Sequence, residues 1–299
     1  MPENISFSID LDNLWAYLKV KGDPKWEEYP SYFPQFIPPF LDLLDALELK
    51  ITFFIVGKDA SLKENLSFMQ EIVKRGHEVA NHSFKHEPWL HTYSKEELLI
   101  EISQAEEAIA LSTGQTPLGF RGPGFVFSEE LFRLLKERNY LYDSSLLPSF
   151  IGPLARLYYN TIAKNEPNRD KLFGSFKDGF KSNKAHEMDG IFEIPVTTIP
   201  YLKTPFHLSY LIYLASYSPA IMKGYLKFAI ACCKLDSISP NFLIHPTDFL
   251  DDVQVPELSF FPGIKVPHEK KRELFACVIE AFKKPFTPIL LSERARKKI

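Results

Sequence analysis

The chain has 299 residues, 45% of them apolar and 24% charged. These are the proportions of an ordinary globular protein and exclude a disordered, collagenous or coiled-coil chain. Lys and Arg number 35 against 38 Asp and Glu, a formal net charge of −3, so no basic excess exists to drive phosphate-backbone binding and nucleic acid is not an expected partner.

In chain order, Ile5–Ile9 is a short β-prone run ending at Asp10, and Phe36–Leu49 repeats apolar residues at helical spacing. Lys50–Val56 predicts a buried strand closed by Gly57, and Leu62–Arg75 a helix stopped by Gly76. His77–Ala80 predicts a short strand. Ser94–Ser112 predicts an amphipathic helix with Ser94 as cap and Glu97 at the capping-box position. Gly119–Arg121 ends another strand, Ser128–Arg138 is a capped helix, and Leu141-Tyr142 enters a strand ending near Asp143. The pattern weakens over residues 146–188, an irregular insertion, and resumes with a strand at Ile191–Val196. An apolar helical segment follows at about 204–235, interrupted by Pro219; then come a strand at Asn241–Ile244, a helix at His268–Phe282 and a last strand at Pro288–Leu291. The alternation predicts one α/β domain over residues 1–299, its strands mostly parallel with helices outside. In such folds chemistry collects at the C-terminal ends of strands, where Asp10, His82, Arg121 and Asp143 all fall.

Asp10-Leu11-Asp12 sends two carboxylates to one side of a strand end, which also suits a solvated turn. His82 and His86 stand at i and i+4, on one face of a helical turn with Cβ atoms roughly 5–6 Å apart. One carboxylate and two imidazoles make a facial set for a divalent metal, leaving the other aspartate as a general base for water. Arg121, heading Arg121-Gly122-Pro123-Gly124, can orient a carboxylate. His245, ending an apolar strand, can serve as an acid for a leaving amine, although a lone strand-end histidine is more often a core group. His91, His186, His207 and His268 lack partners at metal spacing and are read as surface or rim groups. Lys270-Lys271-Arg272 and the tail from Arg294 to Lys298 are read as solvated charges.

These pieces resemble the polysaccharide deacetylase family, the NodB-homology or family-four carbohydrate esterases. The resemblance rests on Ser8–Asp12, Ile51–Phe54, Gly76–His86, Phe120–Phe125, Tyr142–Ser145 and Leu243–His245. It implies a distorted (β/α) barrel and metal-dependent removal of an N-acyl group, acetyl or formyl, from an amino-sugar. Asp12, His82 and His86 would hold the metal, Zn²⁺ foremost with Co²⁺ or Ni²⁺ as alternatives. Asp10 would be the base tethered by Arg121, and His245 the acid, oriented by Asp143, with base and acid on opposite sides of the reacting bond. Pro123, Gly124 and Phe125 would border the substrate. The Asp-Leu-Asp-Asn spacing is similar to an intracellular branch that includes allantoinase-like proteins and a deformylase of lipid-linked amino-sugars. A cyclic amide or ureide hydrolase, and a glycan-binding protein without activity, are the rival readings.

The three cysteines, Cys232, Cys233 and Cys277, form neither a disulfide framework nor a CxxC pair and fit a reducing compartment. No signal peptide is read at the N-terminus. The expected location is cytoplasmic, where an N-acylated glycan precursor, free or lipid-linked, would be the substrate. Thr204–Met222, rich in tyrosine and bracketed by Lys203 and Lys223, is read as a core helix, a dimer contact or a surface lying on the membrane from inside.

Overall fold

The computed structural model describes residues 3–153, 157 and 175–299. Among the described residues nine strands form one sheet: β1 Glu3–Leu11, β2 Thr52–Ile55, β3 Glu78–Asn81, β4 Gly119–Phe120, β5 Tyr142–Asp143, β6 His186–Met188, β7 Ile191–Glu193, β8 Asn241–Ile244 and β9 Phe286–Pro288. Their order is β6-β7-β5-β4-β3-β2-β1-β8, with β9 joining the first residues of β1. Every pairing is parallel except β6 with β7. Beyond β7 the chain swings back to β8: Thr197 N donates to Asn241 O at 3.0 Å, and Asn241 N to the Thr197 hydroxyl at 2.8 Å. The sheet is thus mostly parallel, as the alternating pattern predicts, and curled into the barrel that the family resemblance implies.

The alternation within β1 sets the plan. Ile5, Phe7, Ile9 and Leu11 point outward into the main apolar core beneath the helices. Ser6, Ser8, Asp10 and Asp12 point the other way and are buried polar groups. The barrel interior along β1 is therefore polar, and side chains satisfy part of it: the Ser8 hydroxyl donates to Asn241 Oδ1, and Asn241 Nδ2 to the Ser144 hydroxyl. Lower down, Thr52 and Tyr142 donate their hydroxyls to Glu78.

The capped helices form where the caps predict. Ser94 accepts from Glu97 N while its own N–H reaches Glu97 Oε2, opening the helix Lys95–Thr113. The 204–235 segment breaks at Ser218-Pro219 into the helices Leu208–Tyr217 and Pro219–Leu235, with Pro219 in the favoured first position of the second helix. Three readings need correction. The last strand is Phe286–Pro288, and the tail is a helix, Leu291–Lys297, that plugs the barrel floor: Leu291 N donates to the Thr52 hydroxyl and Ser292 N to Glu78. Arg294 is consequently buried rather than solvated, donating to Pro240 O, and burial pushes its guanidinium down to about 9. Lys271 is buried as well, its ammonium held by the carbonyls of Thr247 and Leu250. Within the 146–188 insertion, residues 154–156 and 158–174 lie outside the described residues; the parts inside include the turn Phe176–Phe180 and β6.

Candidate metal centre

Asp12 emerges from the end of β1, its backbone carbonyl accepting from the buried Tyr32 hydroxyl. Its Oδ1 lies 2.9 Å from His86 Nε2 and 3.4 Å from His82 Nε2, and the three ligand atoms fall within 4.8 Å of one another. His82 Nδ1 is 2.7 Å from the Arg121 carbonyl. A carbonyl only accepts, so Nδ1 carries the hydrogen and Nε2 presents a bare lone pair toward Asp12. Asp12 Oδ1 is buried without a hydrogen bond. Two lone pairs facing each other away from water are costly unless a cation lies between them. One carboxylate and two imidazoles also suit Zn²⁺, Co²⁺ or Ni²⁺, so these residues fit a divalent metal. Were both rings protonated instead, His86 and His82 would outweigh the upward push of burial and hold the Asp12 carboxyl well below the usual carboxylate range.

The two histidines do not share a helical face. They sit in an irregular loop after β3, with Ser83 at φ 61° and His86 at φ 54°. Non-glycine residues rarely adopt this left-handed conformation, and the surroundings must impose it. Ser83 N donates to Asn81 Oδ1, and Phe84 N and Lys85 N both donate to Glu101 Oε2. Gly57 N and Lys58 N donate to the carbonyls of Ser83 and Phe84. Gly57 has to be glycine, since a Cβ there would stand 2.5 Å from Ala105 Cα and 2.7 Å from the Phe84 ring. Glu101, absent from the sequence reading, thus braces the loop from an otherwise amphipathic helix. Burial raises its carboxyl and the two N–H groups pull it back.

Arg121 is wholly buried at the end of β4. It donates from Nη1 to Asp10 Oδ1 at 2.6 Å, from Nη2 to the hydroxyls of Ser8 and Ser144, and from Nε to Ser144 O. Its guanidinium carbon lies 4.0 Å from the centre of the Phe54 ring. Asp10 and His245 end adjacent parallel strands, registered Ile9 to Ile244, and His245 Nε2 is 3.9 Å from Asp10 Oδ2. Base and acid candidates are therefore neighbours, not groups on opposite sides. Asp143 does not orient His245: it accepts from the Ser145 hydroxyl and N–H and faces Glu193 across β5 and β7. The carboxylate beside His245 is Asp248, which accepts from His245 N at 2.9 Å; burial raises it, and His245 draws it back. His207 is no rim group. It is buried with its ring centre 6.1 Å from that of His245 and Nδ1 unpartnered, and burial pushes it down to about 3, leaving it neutral. Pro123, Gly124 and Phe125 form a turn above β4, where Gly124 packs near Pro88 of the histidine loop. His268 also has partners: with Asp251 and Glu269 it forms a second acidic cluster, but Asp251 is already engaged by Val253 N, Gln254 N and His268.

Asp143 and Glu193 form a buried pair. Burial raises both, Glu193 further because Asp143 is beside it, and the pair retains a proton. In the unfolded chain both carboxyls ionise near pH 4, at about 3.9 and 4.3. Above that pH the folded state binds more protons than the unfolded one, so stability falls as pH rises. Glu193→Gln, whose amide substitutes for the retained proton, is expected to flatten that decline in Tm measured from about pH 4 to 8. An unchanged slope would remove the pair as its source.

Fold and site define a curled α/β barrel with an Asp-His-His set at the C-terminal ends of its strands. The family model described as "Polysaccharide deacetylase" matches residues 25–142. An uncharacterized 30.6 kDa protein of Geobacillus stearothermophilus is 30% identical over 208 residues, 58% of this chain and 76% of that protein. The peptidoglycan deacetylase of Helicobacter pylori is 32% identical over 156 residues, 50% of this chain and 51% of that protein; the chain thus spans about half the length of that curated relative. The crystal structure of a putative polysaccharide deacetylase from Mycobacterium smegmatis superposes with a TM-score of 0.63 at 18% identity, covering 99% of this chain and 91% of that one. Residues 25–142 thus carry the match to the polysaccharide deacetylase family. Members of this family depend on a divalent metal.

Proposed function

We propose that this protein removes an N-acyl group, acetyl or formyl, from an amino-sugar of a glycan or glycan precursor, with a divalent metal, Zn²⁺ foremost, held by Asp12, His82 and His86. The observation carrying this reading is the convergence of that set with Asp10, locked by Arg121, and with His245 at 3.9 Å from Asp10. A bound divalent cation polarises an acyl oxygen and lowers the pKa of water. Asp10 keeps Oδ1 in the Arg121 fork and leaves Oδ2 to accept a proton from the attacking water. His245, one strand over, is placed to deliver a proton to the departing amine nitrogen. Asp248 holds the backbone of His245 through its N–H, while neutral His207 walls off that side without competing charge.

The test is metal content by elemental analysis beside acetate and formate release from N-acyl amino-sugar oligomers. About one divalent ion per chain is expected in wild type and none in His82→Ala. Full retention of metal by His82→Ala would remove the ligand set.

A lipid carrier at an anionic bilayer surface is the reading of the substrate's far end that the helices after His207 support. From Tyr201 to Leu235 there is no Asp or Glu, while lysines stand at 203, 223, 227 and 234. Tyr213, Tyr217, Ile221, Phe228 and Leu235 are exposed, the last three spaced by seven on one helical stripe. Among the described residues no helix is long and apolar enough to cross a membrane; this pair suits lying on one. Paired two-fold with itself, the same face would bring lysines together. The protein is expected to co-sediment with phosphatidylglycerol vesicles and not with phosphatidylcholine vesicles. Ile221→Glu/Phe228→Glu should abolish this without changing metal content. Sedimentation equal to wild type would discard the membrane reading.

A further inference from the structure

The metal set is assembled from strands that are not neighbours. Asp12 follows β1 and the histidine loop follows β3, while β2 lies between them in the sheet. The short helix that follows β2, Gly57–Ser61, bonds to both sides. Toward the imidazoles, Gly57 N and Lys58 N donate to the carbonyls of Ser83 and Phe84, each at 2.9 Å. Toward the carboxylate, Asp59 Oδ1 accepts from Asn13 Nδ2 at 2.7 Å and from Trp15 Nε1 at 3.0 Å. Asp59 and Asn13 are both wholly buried. Asn65 Nδ2 holds the Asp59 backbone by donating to its carbonyl at 3.0 Å.

Asn13 has no hydrogen-bonding freedom left. Its Nδ2 donates to the Ser31 hydroxyl and to Asp59, and its Oδ1 accepts from Leu14 N and Tyr32 N. Two donors and two acceptor sites are all that an amide side chain offers. Tyr32 also donates its hydroxyl to the Asp12 carbonyl. Asp12 is therefore fixed through its own backbone and through the residue beside it. Asp59 joins that arrangement to the helix that grips the histidine loop, so one short run of covalent and hydrogen bonds connects the two halves of the ligand set. Asp59 Oδ2 is buried without a partner; the link passes through Oδ1 alone, which an amide oxygen can replace.

We infer that Asp59 is a positioning residue for the metal set: through Asn13 it locks Asp12 in place against His82 and His86 before any cation binds. The inference rests on the metal-set reading above, and its test separates the two. Zn²⁺ affinity of the metal-free full chain would be measured by competition with a chelator, beside the visible absorption of the Co²⁺ form and the Tm of the metal-free chain. The proteins compared are wild type, Asp59→Ala, Asp59→Asn, Asn13→Ala and Asn13→Ala/Asp59→Ala.

Asp59→Ala is expected to weaken Zn²⁺ binding about 10–100-fold, the usual effect of losing a partner that orients a ligand, and to change the Co²⁺ absorption. Asp59→Asn should restore both, because its amide oxygen takes the bonds from Asn13 and Trp15. Asn13→Ala cuts the same link from its other end, so the double variant should bind no more weakly than the weaker single one; Asn13→Ala also decides the matter where Asp59→Ala does not fold. A lower Tm in Asp59→Ala with unchanged Zn²⁺ affinity and Co²⁺ absorption would overturn the inference and leave the metal set standing. Asp59→Asn binding as weakly as Asp59→Ala would do the same. Failure of wild type to bind either ion would overturn the metal set and the inference with it.

Discussion

Asp10→Asn is expected to lower kcat by about 10²–10⁴-fold while leaving the metal content at the wild-type value. The amide keeps an oxygen for the Arg121 fork at the same size, so the barrel interior is preserved. What is lost is the second oxygen: an amide nitrogen beside His245 can neither accept a proton from water nor hold negative charge. Because Asp10 stands outside the Asp12–His82–His86 set, elemental analysis and turnover should separate cleanly. Loss of metal in Asp10→Asn would show that Asp10 helps hold the ion, and unchanged turnover would end its role as base.

Arg121→Met carries the second large effect. Arg121 is fully buried, and four hydrogen bonds leave its guanidinium for Asp10, Ser8 and Ser144. Removing it strands the Asp10 carboxylate away from water without its partner. Breaking a buried ion pair from one side costs about 3–5 kcal/mol, a fall in Tm on the order of 10 °C for a chain of this size. The double variant Asp10→Asn/Arg121→Met removes the stranded charge and is expected to recover part of that loss. Arg121→Lys should recover less, because an ammonium cannot reproduce the planar fork that reaches three residues at once. Denaturant titration of the four proteins measures this. A single variant as stable as wild type would mean that the network contributes nothing to the barrel.

The strand positions were legible because β1 and β8 write their environment in residue type. Alternating Ile-Ser-Phe-Ser-Ile-Asp assigns one side of β1 to the core and the other to the site, and Asn241–Ile244 is bounded as its apolar run predicts. Capping residues located the helices Lys95–Thr113 and Glu129–Glu137. The helix Leu14–Lys21 was missed, although Asn13 and Gly22 are its caps, because aromatic and basic residues gave it no clear apolar stripe. Partners distant in sequence stayed hidden. Glu101 beneath the histidine loop, Glu193 beside Asp143 and His207 beside His245 meet only once the barrel closes. The i,i+4 spacing of His82 and His86 pointed to a helix because spacing alone carries no sign of φ, which the bonds to Gly57, Lys58 and Glu101 impose.

β1 is hydrogen-bonded to β2, β8 and β9, so its pairing closes over residues far apart in the chain, Ser6 with Asn241 and Glu3 with Phe286. Until residues 241–244 and 286–288 have emerged, one edge of β1 stays open, an apolar strand edge of the kind that recruits other chains. Such long-range closure also slows folding. Asp10 therefore meets His245 only once β8 has been made, and the open edge of β1 is exposed to misassembly until then.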